Sequence, residues 1–131
     1  MSDSRTPQLL HLRPPVPVVL SDGMSEAERF QNTTLRPILK FQNDLLVAVF
    51  RQYIRQHKNV FASLSRAKKE AYIDHALRQD IPFRNGLIGT IVGHFTTEEY
   101  GRYLEQENEL RRRIVDLLAR RLKDQILDAG Y

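Results

Sequence analysis

Apolar residues recur along most of this chain at the three- and four-residue spacing of helices that bury one face. Ile38, Leu39, Leu45, Leu46, Val49, Phe50, Tyr53 and Ile54 give wide apolar cover to a helix running to about His57. Leu45 to Phe50 is apolar all round, which predicts contact on several sides. A second helix spans about Arg66 to Gln79, with Ile73 and Leu77 on one face and Ala67, Ala71 and His75 on the other. From Thr96 to about Asp128 no proline intervenes. Tyr100, Tyr103, Leu104, Leu110, Ile114, Leu117, Leu118, Leu122 and Ile126 mark a drifting stripe there. One continuous helix of that length would span roughly 45 Å at 1.5 Å per residue. A compact domain of this size is only about 35–40 Å across. An overhanging end needs cover, and a second copy of the chain would supply it.

Local signals punctuate these helices. Ser25 precedes an acidic turn with Glu26 and Glu28 at the favourable end of the helix dipole. Thr33 or Thr34 can cap the helix that holds Pro37 in its first turn; a continuous helix would instead kink at Pro37. Ser63 or Ser65 caps the next helix. Thr96 followed by Glu99 makes a capping box, the clearest local motif in the chain. Between them lies Asn85-Gly86-Leu87-Ile88-Gly89-Thr90-Ile91-Val92-Gly93-His94-Phe95, which holds three of the six glycines. Gly86, Gly89, Thr90 and Gly93 share one helical face, predicting a short buried helix whose glycines are compensated by close backbone contact. Either Asp80, with Pro82 in the first turn, or Asn85 starts it.

Met1 to Met24 forms an arm. Pro7, Pro14, Pro15 and Pro17 argue against a regular helix and for an extended or polyproline path. Leu9, Leu10, Leu12, Val16, Val18, Val19 and Leu20 are too apolar to stay wet, so the arm is expected to dock in a groove, in cis or in trans. Arg13 to Pro17 also has the look of a polyproline ligand. The fold expected is therefore all-α. Residues 1–24 make an extended Pro-rich arm, and residues 25–131 make a single helical domain of about four main helices with a long C-terminal helix.

Composition narrows the function by exclusion. A 131-residue chain with 41% hydrophobic and 27% charged residues has the profile of a soluble globular protein. Zero cysteines exclude disulfides, thiolate metal sites and cysteine nucleophiles, and fit a cytoplasmic setting. No apolar run reaches the ~20 residues that span a bilayer. Neither a glycine-rich phosphate loop nor a Gly-x-Ser-x-Gly elbow is present. Glu-x-x-His and His-Glu-x-x-His are absent too, so no metal, cofactor or catalytic residue is assigned. A polar pocket for a small ligand is the remaining site candidate, built from Gln42, Asn43, Asp44, Tyr72, His75, Arg84 and Asn85. Its alternative is a structural ion pair with capping hydrogen bonds.

The net charge of +4 permits a polyanion partner. No acidic residue lies between Asp44 and Glu70, while Arg51, Arg55, Lys58, Arg66, Lys68 and Lys69 do, with Tyr53, His57 and Phe61 interleaved. Against nucleic acid, the apolar helix from Gly86 to Phe95 offers few groups for reading base edges. The C-terminal arginines have local partners at Glu107–Arg111, Glu109–Arg113 and Asp116–Arg120.

Three segments carry a resemblance: Leu35 to Leu46, Arg84-Asn85-Gly86, and Phe95 to Tyr100. With them the chain resembles a small uncharacterised bacterial helical family over about Phe30 to Ile126. Members of that family are sometimes labelled glyoxalase. The resemblance implies no established activity and transfers no site. Glyoxalase folds use βαβββ units with metal-binding His and Glu, and this chain has neither the strands nor the ligand spacing. The sequence therefore favours a non-enzymatic structural or interaction module acting as a homodimer, with an unidentified protein as a further possible partner. A small-ligand pocket and weak nonspecific nucleic-acid binding rank behind it.

Overall fold

A computed structural model describes residues 3–128, so the first two positions of the expected arm and the last three of the expected domain lie outside the described residues. Among the described residues seven α-helices succeed one another: α1 (Arg5–Leu12), α2 (Glu26–Phe30), α3 (Arg36–Gln56), α4 (Arg66–Arg78), α5 (Ile81–Val92), α6 (Thr97–Glu105) and α7 (Glu107–Leu127). No strand occurs among the described residues, and no helix among them is long and apolar enough to cross a membrane. The chain forms two compact units. Unit 1 comprises residues 1–42 and 88–114, and unit 2 comprises residues 43–87 and 115–131.

The arm departs from its sequence reading. Arg5–Leu12 is helical, because Pro7 falls within the first turn, where its missing N–H is not required. Asp3 starts this helix by accepting from the Arg5 and Thr6 backbone N–H groups at 2.9 and 3.3 Å. The next segment, Arg13–Leu20, has no regular secondary structure. Leu10, Leu12, Val18, Val19 and Leu20 stay exposed while Leu9 and Val16 are half-buried, so most of the arm's apolar surface is not docked.

Pro37 neither starts a helix nor breaks one. Ser25 caps α2 by accepting from the Glu28 N–H, and the chain then passes through a π-helical turn at Gln31–Leu35 directly into α3. The Arg36 N–H reaches back five residues to the Gln31 carbonyl. A widened turn relieves the clash between a proline ring and the carbonyl four residues earlier. Neither Thr33 nor Thr34 acts as a cap. The Thr33 hydroxyl donates to the Arg29 carbonyl at 2.8 Å, and Thr34 turns inward.

Two further expectations are corrected. The Thr96–Asp128 region is two helices, because Gln106 (φ −137°, ψ 41°) interrupts it; α7 alone is 21 residues. At 1.5 Å per residue α7 rises roughly 30 Å, which removes the overhang argument. Leu45 and Ala48 are exposed, so α3 is not contacted all round. The two faces of α4 are as expected: Ile73 and Leu77, with Ala76, are buried, and Ala67, Ala71 and His75 face solvent. Ser65, not Ser63, caps α4.

In α5 Asp80 is the cap, accepting from the Phe83 N–H at 3.3 Å. The helix is one-sided rather than wholly buried: Leu87, Ile88 and Ile91 point inward, and Gly86, Gly89 and Gly93 are exposed. A Cβ at Gly86 or Gly89 would meet no atom within 4 Å. The expected backbone contact is therefore missing along that face. Replacing Gly86 and Gly89 together by alanine is expected to raise unfolding stability by roughly 1–2 kcal/mol, the sum of two helix-interior gains. Urea denaturation checks this; a loss of stability would show that the glycine face is covered in solution.

Candidate functional site

The most developed polar cluster is in unit 1 and centres on Glu99. The capping box forms as its sequence predicts. The Thr96 N–H donates to Glu99 Oε1 at 2.9 Å, and the Glu99 N–H donates to Thr96 Oγ1 at 3.1 Å. The same carboxylate then takes a guanidinium from the arm. Arg13 Nη1 donates to Oε2 at 2.8 Å and Nη2 to Oε1 at 2.6 Å, a two-point fork. Thr34 Oγ1 adds a bond to Oε2 at 3.1 Å. The pair is nearly dry, with side-chain exposures of 10% for Arg13 and 8% for Glu99.

The arm's arginines also cap α5. Three carbonyls just beyond its end need donors, at the negative pole of the helix. Arg5 Nη1 donates to Phe95 O at 2.7 Å and Nη2 to Gly93 O at 2.8 Å, while Arg13 Nη2 reaches His94 O at 2.9 Å. Beneath them Phe95 packs edge-on to Phe30 and Tyr103, with centroids 5.5 and 5.4 Å apart. The arm is thus docked in cis, by cations.

Burial by itself would raise the Glu99 pKa. The Arg13 hydrogen bonds, the Thr96 N–H, the Arg13 charge and Thr34 outweigh it and hold the carboxyl below its ordinary value. His94 also titrates low, first from burial and then from the Arg13 and Arg5 charges. Chemically the cluster is saturated. Every Glu99 oxygen is engaged, so it offers no free base to a substrate.

The residues singled out from sequence are scattered. Gln42 is buried and donates from Nε2 to the Thr90 carbonyl at 3.0 Å, within unit 1. In unit 2, Asn43 accepts from Arg121 at 2.9 Å and donates to Gln125 at 3.3 Å, so it ties α3 to α7. Asp44 is exposed and accepts a hydrogen bond from Asn43 Nδ2 at 3.3 Å. His75 and Asn85 are exposed and Arg84 half-buried. Among the described residues no hydrogen bond or ion pair joins Asp44, Tyr72, His75 and Arg84 to one another. Of the basic stretch, Arg66 pairs with Glu70 and Asp128 at 3.7 and 3.1 Å, and Lys69 lies 5.5 Å from the Phe61 ring centre. Lys58 takes left-handed backbone at φ 69°. On α7, Glu109 pairs with Arg113 at 3.2 Å, but Asp116 pairs with Arg78 of α4 at 3.1 Å.

Unit 2 also holds an aromatic cluster. Tyr72 packs among Phe50, Tyr53 and Phe61, and its buried hydroxyl has no hydrogen-bond partner among the described residues. Tyr53 donates to Asp80 Oδ2 at 2.9 Å; burial, then that bond, pushes its pKa up to about 12. An open groove runs past these rings, lined by Ala48, Val49, Gln52, Tyr53, Gln56 and Phe83. Sequence reasoning found Tyr53 and Tyr72 but had no signal to pair Tyr53 with Phe83, 30 residues later.

No family model, curated protein or solved structure matches the chain. Among the described residues no group of three His, Asp or Glu side chains is placed to hold a metal ion.

Two outcomes test the Glu99 cluster. Arg13→Ala leaves a buried carboxylate short of its cation and is expected to cost about 3 kcal/mol, with Arg13→Lys intermediate because it loses the fork. The pH dependence comes from two depressed pKa values. Each group contributes stability above its unfolded value that is lost as pH falls through its folded one. His94 weakens the fold below its ordinary value of 6.5, and Glu99 weakens it further below 4.5. Urea midpoints across this range should fall in two stages, and His94→Asn should remove the upper stage.

Proposed function

We propose that this chain is a non-enzymatic interaction module that works as a homo-oligomer. The observation that carries this reading is α6, which is apolar on two sides. Tyr103 is buried in unit 1, while Tyr100 and Leu104, one turn apart on another face, are 47% and 48% exposed. Gly101 lies beside them, with nothing within 4 Å of where its Cβ would stand. A helix with two apolar faces is expected to have two partners.

Surface composition supports the same reading. Of the eleven exposed large apolar side chains among the described residues, eight belong to unit 1: Leu10, Leu12, Val18, Val19, Leu20, Phe41, Tyr100 and Leu104. Unit 1 is also electrically neutral, with nine Lys and Arg against nine Asp and Glu. Neutral apolar surface favours association of like with like, and a second copy is always at hand. The saturated Glu99 cluster argues against catalysis at this buried ion pair.

Size-exclusion chromatography with light scattering tests the reading. The expected mass is at least two copies, unchanged between low and high salt because the contact is apolar. Leu104→Lys should release monomers with unchanged helical circular dichroism. A monomeric wild-type chain at about 100 µM would overturn the proposal, since useful self-association requires affinities tighter than that.

A further inference from the structure

The net charge of this protein is carried by one unit. Unit 2 holds eleven Lys and Arg against seven Asp and Glu, whereas unit 1 balances to zero. Within unit 2 the excess is concentrated in residues 45–69, which contain six Lys and Arg and no acid. Several of these cations lack local neutralisation. Arg55, Lys58 and Lys68 are exposed, and among the described residues no carboxylate pairs with them. Arg55 donates its Nε and Nη2 to Gln52 Oε1 at 3.1 and 2.9 Å, which sets the guanidinium at the rim of the groove that Gln52 lines.

The same end of α3 carries a ladder of rings. Phe83 lies 4.1 Å from Tyr53 between centroids, and His57 lies 3.9 Å from Tyr53, tilted by only 22°. Rings that close leave room for one neighbour on each face of Tyr53, so the order is Phe83, Tyr53, His57. His57 is exposed and ends the ladder. Its Nδ1 lies 2.8 Å from the Tyr53 carbonyl, which holds the ring in place. Immediately after it, Lys58 and Asn59 adopt left-handed backbone, φ 69° and 51°, and turn the chain away from the helix axis. The result is an exposed ring at the end of α3, followed directly by Lys58, with Arg55 about 200° round the helix from it, so that a strand crossing the end of α3 would meet all three.

We propose that this surface binds single-stranded nucleic acid, with Arg55 and Lys58 on phosphates and an unpaired base stacked on His57 as the next rung of the ladder. Charge complementarity selects a polyanion. The exposed ring selects one with accessible planar faces, which a duplex keeps inside its own stack. The amides of Gln52 and Gln56 along the groove provide hydrogen bonds for a neighbouring base without demanding a particular one. This inference is independent of self-association, since it uses unit 2 and a different set of side chains.

The test is fluorescence anisotropy of the full chain with labelled oligouridylate and oligothymidylate of about 20 nucleotides, and with a duplex of equal length. Single strands should bind more tightly than the duplex at about 50 mM salt. Their affinity should fall roughly tenfold by about 200 mM, the slope for two or three neutralised phosphates. His57→Ala should weaken single-strand binding roughly fivefold or more while leaving duplex binding unchanged. Lys58→Glu should weaken both. Circular dichroism of each variant confirms the fold, and both positions are exposed. Three results would each overturn the proposal. They are no strand binding at about 50 mM salt, equal binding of duplex and single strand with no effect of His57→Ala, and binding to phosphatidylserine vesicles in place of nucleic acid.

Discussion

One carboxylate ties the ends of unit 1 together. A capping box needs only local sequence, and Thr96 with Glu99 would start α6 whatever the arm did. What the structure adds is that both Glu99 oxygens are shared with Arg13, 86 positions earlier. The path of the arm is thereby made to depend on the start of a helix far away in sequence. A buried ion pair is a poor way to gain stability, because desolvation of both ions consumes most of the Coulombic gain, and an apolar pair of similar volume is often as good. It is a good way to fix position. The Arg13 fork has one geometry that satisfies Oε1, Oε2 and the His94 carbonyl together, and that geometry sets where the arm leaves the surface. Leucines in a groove would slide.

The consequence reaches the surface. Because Arg5 and Arg13 do the docking, the arm's apolar residues are left over, and Val19 is 83% exposed. The same logic runs through the π-helical turn. One extra residue in the turn rotates the preceding helix by about 100° relative to α3, from the 3.6-residue period. That rotation lets Phe30, Leu35, Ile38 and Leu39 all point inward on both sides of Pro37, and it aims Thr34 at Glu99. The turn that accommodates the Pro37 ring also makes Thr34 the third residue, after Thr96 and Arg13, to donate to the carboxylate.

Local signals are legible in the sequence and long-range ones are not. The Ser25 and Thr96 caps can be read because each acts within one turn, the α4 cap is narrowed to Ser63 or Ser65, and the Ile38-to-Ile54 apolar spacing locates α3. The missed features share a cause. Gln106 has no breaker chemistry; it interrupts the helix through backbone geometry that neither glycine nor proline announces. The exposed glycine face of α5 is misread because periodicity says which residues share a face and not which way that face points. Arg13 reads as part of a proline motif, since nothing in sequence links a cation to a carboxylate 86 residues on. The polar residues before Leu45 resemble a pocket for the opposite reason. Their adjacency in sequence is real, but successive helical positions are 100° apart, which sends Gln42 to a carbonyl in one unit and Asn43 to α7 in the other.

The division of charge bears on how one small chain could hold two kinds of contact. Apolar association strengthens or holds steady as salt rises, whereas phosphate binding weakens, because it is driven by counterion release. A surface that mixed the two would compromise both, since cations beside an apolar seam must be desolvated when the seam closes. Here the mixture is avoided. Unit 1 has balanced its charges, partly by burying Arg13 against Glu99, and it exposes apolar side chains; unit 2 leaves cations unneutralised and has only Leu45, Val60 and Ile81 as large exposed apolar groups among the described residues.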